Sequence, residues 1–69
     1  MNDKLNHYKN EYRNILEKFK NDSLDIAIGR LMTKMENEFN IPLINDESYN
    51  KSNPEIVSFY RELSKARNI

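Results

Sequence analysis

Between residues 5 and 19 the large apolar side chains fall at Leu5, Tyr8, Tyr12, Ile15, Leu16 and Phe19, a three-four-three spacing. At 3.6 residues per turn this spacing holds them on one narrow stripe, which predicts an amphipathic helix near residues 3–20 that must press its stripe against something. The stripe spans barely more than two heptads, too few for an independent coiled coil. Asn2, Asn6, Asn10 and Asn14 recur at every fourth position of the same segment. Asparagine side chains compete for backbone hydrogen bonds and weaken an isolated helix. The segment therefore needs tertiary contacts, in a bundle or in a dimer.

Asn21-Asp22-Ser23 interrupts the first pattern with residues suited to capping, and Asp25 stands three positions after Asp22. A second helix is predicted near 23–39. Leu24, Ala27, Ile28, Leu31, Met32, Met35 and Phe39 share one broad arc of it, and Ile26 falls on the polar side. Asn40 suits a left-handed cap, and Pro42 pushes Ile41 toward an extended backbone, so this helix should stop near Phe39. Residues 41–53 read as a long loop, exceeding usual helix connections, with Ile41, Leu43, Ile44 and Tyr49 available to pin it down. Asn53-Pro54 then reads as an N-cap and first helical residue. Ile56, Phe59, Tyr60, Leu63 and Ala66 follow at helical spacing, which predicts a third helix near 54–67. The fold class is all-α: one small helical domain over 1–69, with helices 1 and 2 as an antiparallel hairpin and helix 3 after the loop.

A chain of 69 residues hides only about 60% of its unfolded surface, so natural scaffolds of this size lean on disulfides, a metal or a second subunit. Cysteine is absent and His7 is the single histidine. These exclude disulfides, thiolate zinc sites and histidine clusters, and leave association as the remaining support. The amino-terminal residues are polar and the longest apolar run is Ile26-Ala27-Ile28, which points to a cytoplasmic protein with no membrane partner. Eleven cationic and eleven anionic side chains cancel, so no overall field draws the chain to nucleic acid or to an anionic membrane.

No residue pattern points to catalysis. His7 lies opposite the stripe, where water solvates it, and no motif sets a base beside Ser23, Ser48, Ser52, Ser58 or Ser64. Glu36/Glu38 and Asp46/Glu47 lack the apolar surroundings that shift a carboxyl for acid-base work, and Asp46-Glu47 lacks calcium-loop spacing. Gly29 is the only glycine, which rules out glycine-rich phosphate cradles. It reads either as an aid to close helix approach or as a tolerated weak point. The helix start Pro54-Glu55-Ile56-Val57 superficially resembles that of the small helical-hairpin phosphatases of the sporulation phosphorelay. Tyr60 and Ser64 stand where that family carries its Ser and Asp, so its activity does not transfer.

The expectation is a small regulatory or adaptor-like protein, without enzymatic activity, cofactor or metal, that binds another protein and self-associates as a homodimer. Its expected partner-binding residues are Ile26, Val57, Leu43, Ile44 and Tyr49, apolar side chains outside the helical stripes or at their margins. The alternative is a small nucleic-acid-binding protein using Lys9, Arg13 and Lys20, which flank Tyr8 and Tyr12. Asp22, Asp25 and Glu55 oppose that alternative, since they put negative charge at the helix starts that would face phosphate.

Overall fold

The computed structural model describes residues 3–67, and among these the chain is all-α. Four helices follow one another: α1 Asp3–Lys18, α2 Asn21–Glu38, α3 Glu47–Ser52 and α4 Pro54–Ala66. A turn of two residues, Phe19 and Lys20, joins α1 to α2. The hairpin is antiparallel: at its open end Tyr8 meets Phe39 edge-on with ring centroids 5.6 Å apart, and Lys4 lies 3.6 Å from Glu38. α4 packs against α2. It touches α1 through Phe59, whose ring meets that of Tyr12 edge-on at 5.8 Å.

The core is built by helical periodicity alone. Leu5 and Tyr8 enter from α1, Ile28, Leu31, Met32 and Met35 from α2, and Ile56, Phe59 and Leu63 from α4. Tyr12, Ile15, Leu24, Phe39, Ile41, Tyr60 and Ala66 form a half-buried shell around them. α2 packs most extensively against the other long helices, and it gives the largest share of the buried residues.

Four expectations need correction. The segment 41–53 is not all loop, because Asp46 caps a helical turn there: its Oδ1 accepts the Tyr49 N–H at 3.1 Å and starts α3. The arrangement is therefore four helices, not three. Leu16 and Phe19 continue the α1 stripe in sequence but are 48% and 40% exposed. α4 follows α2 from Glu36, which Tyr60 meets, to Gly29, which Arg67 covers, and no described helix lies over the hairpin tip beyond. The start of α2 lacks the predicted cap, since Lys20 holds the N-cap position without a side-chain bond and Asn21 takes the left-handed region at φ 56°. Asn53 does precede α4, yet its side chain points backward and donates to the Tyr49 carbonyl at 3.2 Å instead of capping α4.

The end of α2 follows the expected chemistry. Asn40 adopts φ 53°, and the Ile41 N–H donates to the Glu36 carbonyl at 3.1 Å, the six-to-one bond of a Schellman motif. Gly29 does not mark a close helix crossing. A methyl group there has the guanidinium of Arg67 as its nearest neighbour, at 3.4 Å, an ordinary contact distance. Gly29→Ala is thus expected to raise stability by about 0.5–1 kcal/mol through helix propensity. Chemical denaturation measures it, and a destabilised variant would show that the guanidinium has no room to yield.

Candidate functional site

Three features stand apart from the core: a polar cluster at the end of α4, a bridged arm in the α2–α3 connection, and an open groove at the hairpin tip.

In the polar cluster the Tyr60 hydroxyl donates to Glu36 Oε2, across α4 and α2. Burial, this hydrogen bond and the Glu36 charge push the Tyr60 phenol up to about 12, with Arg67 opposing. The Arg67 guanidinium lies over Gly29, with its Nε buried and unpartnered. These groups close α4 onto α2 and present no nucleophile. His7 is exposed on α1, 3.4 Å from Glu11 and edge-on to Tyr8. Among the described residues no group of three or more His, Cys, Asp or Glu is arranged to hold a metal ion, and no helix is long and apolar enough to cross a membrane.

The arm runs from Pro42 to Asn45 and is held at both ends. Ile41 packs against the core at one end. At the other, the Tyr49 hydroxyl donates to the Phe39 carbonyl at 2.7 Å, and Asn50 Nδ2 donates to Asn45 Oδ1 at 2.8 Å. The half-buried Tyr49 phenol is pushed up by burial. Between these anchors Leu43 is 95% and Ile44 82% exposed. Ile41 and Tyr49 therefore pin the connection as expected, whereas Leu43 and Ile44 do not. Four of the five expected contact residues, Leu43, Ile44, Tyr49 and Val57, border one cleft of about 200 Å³. Ile26 does not join them.

Ile26 instead borders the groove, about 490 Å³ between α1 and α2, together with Ile15, Phe19 and Ala27. Its charged lining is Lys18, Arg30 and Lys34 against Glu11. Phe19 and the cationic rim escape a reading of helical periodicity. Phe19 looks like core on α1, and only the end of α4 near Gly29 shows that nothing covers it.

Both aromatic residues of the nucleic-acid alternative pack with the core. Tyr8 is buried and Tyr12 packs on Phe59. The Lys9 ammonium sits 6.0 Å from the centre of the Phe59 ring, in a cleft shared with Glu55 and Glu62, two carboxylates unfavourable to phosphate. Arg13 and Lys20 are exposed. Comparison with known protein families, curated proteins and solved structures finds no match to this chain.

Proposed function

We propose that this chain is a small cytoplasmic interaction protein, regulatory or adaptor-like and without enzymatic activity, that binds protein surfaces and associates with copies of itself. One observation carries the reading. Among the described residues, beside a core of nine buried apolar side chains, five large ones stand in water: Leu16, Phe19, Ile26, Leu43 and Ile44. Singly exposed apolar residues are ordinary on a protein surface. Here Leu43 and Ile44 are neighbours on an anchored arm, and Phe19 and Ile26 share one groove, so the exposure is grouped rather than scattered. Covering these groups supplies the burial that a chain of this size lacks within itself.

Light scattering across a concentration series tests the reading. The mass is expected to rise above the 8.3 kDa of one chain, with a homodimer as the smallest assembly. A stable, cleanly melting monomer at all concentrations would defeat it. Ile26→Glu, at a position 57% exposed, is expected to weaken association while helicity stays at the wild-type level. Unchanged association in that variant removes Ile26 from the contact surface.

A further inference from the structure

We infer that the Leu43–Ile44 arm of one copy docks in the hairpin-tip groove of a second copy. This rests on the self-association reading above and names its two contacting patches.

The arm has the form of an inserting element. It presents two exposed apolar side chains, Leu43 and Ile44, and its ends are fixed by Ile41 packing and by the Tyr49–Phe39 and Asn50–Asn45 hydrogen bonds. An anchored segment surrenders less conformational entropy on docking than a free one. The groove has the form of a receiver, with Ile15, Phe19, Ile26, Ala27 and Leu31 for its apolar lining.

Charge selects the pairing. Segment 41–47 carries Asp46 and Glu47 and no cation. The groove carries Lys18, Arg30 and Lys34 against the single carboxylate of Glu11. Although Arg61 borders the arm's cleft, the acidic pair one residue beyond Leu43-Ile44 thus meets cations around an apolar lining. Two grooves set face to face would instead bring cation against cation, which disfavours that pairing.

Arm and groove share no residue: the groove is lined by α1, α2 and their turn, the arm's cleft by the connection, α3 and α4. Each contact therefore joins two different patches of the chain. It closes as a dimer when two copies exchange arms, and continues from copy to copy when they do not.

Two variants at exposed positions test this: an arm variant, Leu43→Asp with Ile44→Asp, and a groove variant, Ile26→Glu with Arg30→Glu. Circular dichroism checks that both keep wild-type helicity, and analytical ultracentrifugation reads their mass separately and mixed. Each alone is expected to associate at least about tenfold more weakly than wild type. Their equimolar mixture is expected to form a one-to-one complex, because the arm variant retains an intact groove and the groove variant an intact arm. If the mixture stays monomeric, or the arm variant assembles as well as wild type, the arm-in-groove contact is wrong while self-association stands. A wild-type chain that never assembles overturns both.

Discussion

Leu31→Asp is expected to abolish the folded state, seen as loss of helical circular dichroism at neutral pH and of any cooperative melt. Leu31 is 2% exposed on α2, the helix that contacts both α1 and α4. Truncating a buried leucine to alanine typically costs about 2–5 kcal/mol. The aspartate adds the penalty of a carboxylate removed from water with no partner, or of a carboxyl that must take up a proton to stay inside. Natural domains hold roughly 0.05–0.15 kcal/mol per residue, which for this chain is about 3–10 kcal/mol in all. The loss is of the same size as the whole. Leu31→Ala gives a graded companion, expected to melt at lower temperature and to keep helical content when cold. Ile26→Glu, one and a half turns away on the same helix, controls for the insertion of a charge as such. A Leu31→Asp variant with wild-type melting would mean that α2 does not organise this core.

The second large effect is alkaline. All four tyrosine phenols are pushed above their ordinary value near 10, burial being the leading cause in each. Glu38 and Glu11 add to the effect at Tyr8, and Glu62 at Tyr12. At Tyr60 the bond to Glu36 and the Glu36 charge carry the phenol up to about 12. A folded-state value above the unfolded one means that the fold favours the protonated phenol. This contribution is fully present below about pH 10, where unfolded tyrosine begins to ionise, and is lost as pH rises through the folded values. Helicity and tyrosinate absorbance are therefore expected to change together, in one transition between about pH 10 and 12. Lysines shed protons over the same window, so Tyr60→Phe isolates the phenol. That variant is expected to retain a larger fraction of its neutral-pH stability at the top of the window. Tyrosines that ionise in turn near pH 10, with helicity intact, would contradict the argument.

Much of this fold is legible because helices announce themselves through spacing. The α2 arc and the Ile56, Phe59, Leu63 series are core in the structure as their periodicity implies. Asn40 and Ile41 end α2 as a left-handed cap should. Periodicity shows which face of a helix is apolar, however, and is silent on how far along that face a partner extends. Leu16 and Phe19 obey the α1 pattern as well as Leu5 does, and only the packing of α4 separates them. α3 escapes for a different reason: its six residues, Glu-Ser-Tyr-Asn-Lys-Ser, have no apolar repeat, and the cap from Asp46 with the tertiary bond from Tyr49 establishes it. The arm is half legible. Leu43, Ile44, Tyr49 and Val57 stand out in the sequence as apolar residues beyond the helical stripes, and the structure gathers them at one cleft. Which of them anchor and which protrude depends on hydrogen bonds to Phe39 and Asn45 that no spacing rule reveals.

Asn53 ends α3 and begins α4, its N–H and its side-chain amide both donating to the Tyr49 carbonyl. A single residue leaves no slack at that corner, so the two helices turn as one lever. The arm is tied to α3 by the Asn50–Asn45 bond, and beyond the corner α4 carries Phe59 and Leu63 into the core. Close-packed interiors transmit strain instead of absorbing it, so whatever grips the arm is expected to be felt in the middle.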